Sequence, residues 1–280
     1  MTTSVEATLF ERADRAVGRG LVQSTRAYLK VDTDPGRVDA EVAALDLLGR
    51  AAFPAPVVIA HVAGDDLSAL ALSVIDGQPM DGGRSHHWTE VGRLIASLHR
   101  VEPPPGSHRA HYGPADLLQF VAGATRAARL SGAIDDRTIQ RLRPDLDRMA
   151  RRVLPLPMTM VHGDLQTDHV LVGPDQGVAG IVDWADSGVG DPAFDLAVLT
   201  LWHPERLPDL LAGYGPLPGR TDSVRLRLGL YWMLRHLGSA WWMAAHGYDP
   251  SPDVAAVAAG VRVPDLYVDR PLGRRIPGAY

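Results

Sequence analysis

Between residues 158 and 184 the chain alternates three short apolar runs with polar clusters, and no other stretch restricts the fold as much. The runs "MTMVH", "HVLV" and "AGIVDW" have strand length rather than helix length. Around the first two lies "VHGDLQTDHVL", Val161 to Leu171, with His162, Asp164, Asp168 and His169 inside eleven residues. If "HVLV" returns the chain as a strand, Asp164 and Asp183, nineteen residues apart, emerge on one side of a small sheet. That geometry would gather Asp164, His169 and Asp183 into one site.

The flanking segments read differently on the two sides. Upstream, "RAYLKV" has strand character and ends near Lys30. A helix follows the turn "DTDPG", with Val38, Val42, Leu45 and Leu48 at helical spacing, Glu41 in its first half and Gly49 near its stop. "PAPVVIAHV" and "LSALALSVI" are further strands, and "DGQPMDGG" breaks the chain near residues 76 to 83. Downstream the pattern is mostly helical, ending in the long aromatic-rich "SVRLRLGLYWMLRHLGSAWWMAAHG", whose stripe reads as core.

With 280 residues the chain is large enough for one large domain or for two lobes around a cleft. The absence of cysteine excludes disulfides, a thiolate nucleophile and thiolate metal sites. No apolar run is long enough to span a bilayer and the first residues lack a secretory pattern, so a cytoplasmic protein is expected. A formal charge of −5 with scattered arginines argues against nucleic acid as a partner. Of the 28 basic residues only Lys30 is a lysine. A compact ammonium serves some phosphate sites where a planar guanidinium does not, so the survival of one lysine marks it as a candidate.

These residues suit phosphoryl transfer. Its loose transition state needs an oriented nucleophile and cations on the phosphate oxygens. One carboxylate can orient the acceptor hydroxyl and take its proton, and a second can hold Mg²⁺, which prefers oxygen ligands. A lysine from another part of the chain, positioned by a helix glutamate, would meet the phosphates, and Lys30 and Glu41 stand in the right order.

The segment Val161 to Ala197, "VHGDLQTDHVLVGPDQGVAGIVDWADSGVGDPAFDLA", resembles the core of the aminoglycoside phosphotransferase and choline kinase-like family. "YLKV" with its following glutamate and "ALALSVIDGQPM" extend the likeness towards the N-terminus. The resemblance implies an α+β, bilobal, protein-kinase-like fold. Its small, mainly β lobe would span residues 1–76, with a hinge near 73–77, and a larger, mainly α lobe residues 77–280. It implies Asp164 as base or orienter, Asp183 as chief metal ligand and Lys30 with Glu41 as the phosphate-positioning pair. Backbone groups of Ser73 and Ile75 would hold the purine, and Asp191 would brace the loop. The donor would be ATP or GTP with Mg²⁺, and the acceptor a hydroxyl of an antibiotic: an aminoglycoside, a tuberactinomycin-type peptide such as capreomycin or viomycin, or a macrolide. Neither membrane nor obligate protein partner is implied.

Two features depart from the family pattern. His169 stands where asparagine is usual, as in macrolide-type members, and would meet the metal side directly or through water. A glycine-rich phosphate loop is not recognisable, Gly18 and Gly20 being its only candidates. His162 is expected to bond loop backbone, Asp186 and Asp195 to be supports, and the pair His86 and His87 to lie on the surface. Trp202, Trp241 and Trp242 would line an apolar pocket if they are not core. Two other functions fit parts of the pattern. A catalytically silent nucleotide- or antibiotic-binding protein would explain both departures, and a metal-dependent hydrolase would use His162, Asp164, His169 and Asp183 as ligands.

Overall fold

The computed structural model describes residues 3–12, 14–103, 107 and 114–260. The N-terminal part is an antiparallel sheet of five strands, β1 (Thr3–Glu11), β2 (Arg15–Val22), β3 (Thr25–Asp32), β4 (Val58–Val62) and β5 (Ser68–Ser73), in the order β1-β2-β3-β5-β4. Gln23 and Ser24 both have positive φ, which gives the two-residue β2–β3 turn the twist that a hairpin favours. Helix α1 (Pro35–Arg50) is capped by Asp34, whose Oδ1 accepts from Gly36 N at 3.0 Å. It buries Val38, Glu41, Ala44, Leu45 and Leu48 along one face. Glu41 therefore sits inside an apolar stripe, where a carboxylate is stable only with partners.

Gly18 and Gly20 do not form a phosphate loop. They lie within β2, opposite an irregular stretch of β1, and a Cβ on Gly20 would come within 2.0 Å of Ser4 O. The β1–β2 link at residues 12–14 contains no glycine.

After residues 74–77 the chain enters β6 (Gln78–Pro79), which pairs with β8 rather than with the first sheet. The helical part comprises α2 (Ser85–Leu98), α3 (Pro114–Leu130), α4 (Asp136–Val153), α5 (Pro192–Leu199), α6 (Leu207–Tyr214), α7 (Thr221–Ala245) and α8 (Ser251–Ala259). The three short runs are strands, as expected: β7 (Thr159–Val161), β8 (Val170–Val172) and β9 (Val178–Ile181). They do not share one sheet, however. β8 and β9 pair with each other, whereas β7 pairs with β10 (Gly188–Gly190). Among the described residues no helix is long and apolar enough to cross a membrane.

One core runs through both parts. Leu45, Leu48, Phe53, Leu70 and Leu72 join a cluster that continues through Trp88, Ile95, Trp184, Phe194 and Trp232. Phe53 meets Trp184 edge to face at 5.5 Å, and Ile181 N donates to Pro54 O at 2.9 Å, which fastens the α1–β4 loop onto β9.

Asp191 is buried and caps α5, its Oδ1 accepting from Ala193 N at 3.0 Å and from Arg227 Nη1 at 2.6 Å. Tyr231 OH donates to its Oδ2 at 2.9 Å, so this carboxylate ties α5 to α7 rather than bracing the catalytic loop. Arg227 is 1% exposed, and its removal would leave a buried charge without its cation. Arg227→Ala should therefore cost about 3–5 kcal/mol of stability, measured by denaturant unfolding, with Tyr231→Phe costing about 1 kcal/mol.

Candidate active site

The catalytic-loop candidate, residues 162–166, leaves β7 and ends in a 3₁₀ turn at Thr167–His169. Its backbone is held by Asp195, a buried residue of α5. Asp195 Oδ2 accepts from His162 N at 2.8 Å and Oδ1 from Gly163 N at 3.0 Å, while His99 Nε2 lies 3.0 Å from Oδ2. Burial pushes the Asp195 carboxyl up, but His99 and the loop amide outweigh it and leave it below the usual range. The expected supporting role of Asp195 is thus a specific one: it is the brace of this loop. Gly163 has φ +85°, and a Cβ there would stand 2.0 Å from Asp186 O. Glycine alone lets the loop lie against residues 183–187.

His162 is fully buried and bonds loop backbone, as expected. Its Nε2 donates to Val182 O at 2.9 Å and its Nδ1 accepts from Asp164 N at 3.3 Å. Burial holds its pKa below the ordinary histidine value. A buried imidazole with both nitrogens engaged cannot ligate a metal, and this removes a member of the hydrolase ligand set. Among the described residues no three potential ligands converge on one point.

The structure joins the distant candidates. Lys30 Nζ, on β3, donates to Glu41 Oε1 at 2.7 Å and to Asp183 Oδ1 at 2.9 Å. Trp184 N also donates to Glu41 Oε1, at 3.3 Å. Burial alone would lower the Lys30 pKa, but the two carboxylates outweigh it and raise it. Burial also pushes Glu41 up against the pull of Lys30, while Asp183, more open to the cleft, is driven below the usual carboxylate range by Lys30 and His169. We take all three as ionised, because Glu41 Oε1 accepts two donors and Lys30 bridges two acids. Asp183 has φ +66°, a conformation uncommon outside glycine and found often at functional positions.

His169 Nδ1 lies 2.7 Å from Asp164 O, and a carbonyl can only accept, so Nδ1 carries the hydrogen. In the neutral ring Nε2 then keeps its lone pair, 3.6 Å from Asp183 Oδ2. One nitrogen and one carboxylate oxygen thus face each other across a gap suited to a cation whose remaining ligands are phosphate oxygens and water.

Asp164 carries partners that the sequence did not announce. Arg235 Nη2, from α7, lies 2.7 Å from Oδ1, and Gln166 Nε2 donates to Oδ2 at 3.1 Å. Arg235 lay inside a helix whose aromatic stripe reads as core, and nothing in its spacing marks it. Arg37, at the start of α1, reaches Asp186 at 3.5 Å. These residues line one cleft of about 1120 Å³, together with Ser73, Ile75, Arg12, Trp241 and Trp242. Ser73 N donates to Val57 O at 2.8 Å, so that amide is already engaged within the sheet. Trp202 is absent from this wall; it is 53% exposed and packs its edge on His236. His87, expected on the surface, is 3% exposed, with Nε2 at 2.9 Å from Gln176 O; His86 is exposed.

A family profile described as "phosphotransferase enzyme family" matches residues 13–231, most of the chain. The chain belongs to that family. Among curated relatives, viomycin phosphotransferase of Streptomyces vinaceus is 33% identical over 197 residues, covering 65% of this chain and 67% of the relative. The fold is also that of solved phosphotransferases. A thermostable mutant of aminoglycoside phosphotransferase APH(4)-Ia superposes with a TM-score of 0.71 at 16% identity, covering 92% of each chain. Macrolide 2'-phosphotransferase type I gives 0.64 at 21% identity, covering 92% of this chain and 91% of its own. APH(3'')-Id of Streptomyces rimosus gives 0.61 at 21%, covering 82% and 92%. The expected bilobal kinase-like architecture is therefore the one this phosphotransferase has.

Proposed function

We propose that this phosphotransferase moves the γ-phosphoryl group of ATP or GTP to a hydroxyl of an antibiotic and so inactivates it. The observation that carries the reading is the continuous chain of contacts Glu41–Lys30–Asp183 at one side of a cleft that also holds Asp164. Solved neighbours bound to ADP, GDP or AMP-PNP support a nucleotide donor. Streptomycin, spectinomycin and hygromycin B complexes among them, and the viomycin-acting relative, support an antibiotic acceptor.

In this reading the cleft divides at residues 76–77, with the purine against Ser73 and Ile75. Lys30 meets the phosphates as a point charge held by Glu41. Asp183 Oδ2 and His169 Nε2 would hold Mg²⁺, which when bound neutralises charge on the phosphate oxygens. Asp164 accepts the acceptor hydroxyl's hydrogen bond through a lone pair that Arg235 and Gln166 leave open, since each carboxylate oxygen has two. It receives the proton as the oxygen–phosphorus bond forms and the γ-phosphoryl group leaves the nucleoside diphosphate. The glycine-free β1–β2 link and the first residue of β2 put Arg12 and Arg15 on the cleft wall, where many kinases use glycine amides.

The test is mass spectrometry of an antibiotic panel incubated with enzyme, Mg²⁺ and either ATP or GTP. Addition of one phosphate, about 80 Da, to a panel member is the expected result. Nucleotide binding with no modified acceptor would favour the silent-binder alternative.

A further inference from the structure

The cleft continues past Asp164 onto a wall built by α3 and α7, and this wall differs in chemistry from the nucleotide side. The carboxylates that line the cleft come from β3, α1 and the two loops: Asp32, Glu41, Asp164, Asp168, Asp183 and Asp186. Among the described residues, α3 and α7 contribute none. Their one ionic side chain there is Arg235, which is bonded to Asp164 and so cancels the negative charge nearest the wall. The remainder is apolar or small, with Phe120, Trp241 and Trp242 around Gly123 and Gly238.

The two glycines lie in the interiors of long helices, where glycine is among the poorest formers. Close helix packing would explain them, but a Cβ at either position would meet nothing within 4 Å. They leave open space on the cleft side of both helices. Trp241 beside them is 41% exposed and adds an open indole face to this surface. Trp242 forms the far edge, stacked on His246 and Tyr248, with the Arg12 guanidinium 4.5 Å above its ring from the opposite lobe.

A molecule carrying several ammonium groups would find no carboxylate on these two helices, whose one charged side chain at the cleft is the Arg235 guanidinium. Burial of an apolar face against two indoles and bare helix backbone is favourable. We infer that the acceptor is a large amphiphile with at most an isolated positive charge. It lays its apolar face on Gly123, Gly238 and Trp241 and presents a hydroxyl to Asp164. This rests on the phosphotransfer reading and narrows it, from antibiotics in general to macrolide-like chemistry rather than polycationic sugars or peptides.

The experiment compares a macrolide, an aminoglycoside and viomycin as probes, on the intact chain and on Gly238→Leu and Gly123→Leu. Binding is followed by tryptophan fluorescence and turnover by phosphate incorporation. The expected result is macrolide binding and turnover at least about tenfold preferred over the two polycations. Each leucine should weaken macrolide binding about tenfold or more, with nucleotide affinity unchanged and circular dichroism melting no lower than that of the parent. If a leucine lowers the melting temperature, Gly238→Ala, which fills less of the space, replaces it and should give a smaller loss in the same direction. Preference for a polycation, or macrolide affinity indifferent to all these substitutions, overturns the inference. Macrolide binding that obeys the substitutions without phosphate incorporation supports the wall and instead strikes the phosphotransfer reading.

Discussion

Asp164→Asn is expected to lower kcat by about 10³-fold while nucleotide binding stays within a small factor. The carboxylate stands on a loop whose amides are clamped by Asp195, so the substitution should leave the loop in place. What changes is the acceptor chemistry. A carboxamide keeps one acceptor oxygen and turns the other position into a donor, which cannot face both Arg235 and Gln166 and still receive a proton. Single-turnover phosphorylation with preloaded nucleotide isolates this step. A rate within a factor of about ten of the parent would show that Asp164 neither orients nor deprotonates the hydroxyl.

Lys30→Met is the second large effect, expected to reduce kcat/KM for the nucleotide by about 10²–10³-fold. Lys30 bridges Glu41 and Asp183, so its loss removes the proposed phosphate contact and also the ion pair that orients Asp183. Glu41 is only 2% exposed and would be left as a buried acid without its cation, so the variant should also lose stability. The double variant Lys30→Met, Glu41→Gln separates the two consequences. Thermal stability should recover towards that of the parent, whereas kcat/KM should not. Recovery of catalysis along with stability would reduce the lysine to a structural role.

Much of the site was legible because its residues obey local rules. Lys30 stood out as the single lysine, and the spacing of Val38, Leu45 and Leu48 placed Glu41 on the first turns of a helix packed on the strand that bears it. Asp164 and Asp183 followed from short strands broken by acidic loops. The division of labour within "GDPAFD" was not legible, since a helix cap and a loop brace use the same residue type at neighbouring positions. Only the folded arrangement gives Asp191 to Arg227 and Asp195 to the loop amides. Arg235 was hidden for a related reason. Helix α7 is 25 residues and about 37 Å long, and an apolar stripe on such a helix says which face is buried, not what the opposite face meets. His87 was misplaced because its partner, the carbonyl of Gln176, lies 89 residues away.

The bracing carboxylate also has an evolutionary meaning. Asp195 fastens the catalytic loop to α5 and to the C-terminal end of α2, its carboxylate accepting from the loop amides and meeting His99. The proposed acceptor wall lies on α3 and the cleft-facing side of α7, a helix tied to α5 through Arg227 and Tyr231 on Asp191 and to Asp164 through Arg235. Gly123 and Gly238 leave open space and make none of these bonds, so substitutions there would reshape the proposed wall while Asp195 keeps its hold on the loop amides. In a lineage built this way, the surface offered to an acceptor would change more freely than the loop that faces it.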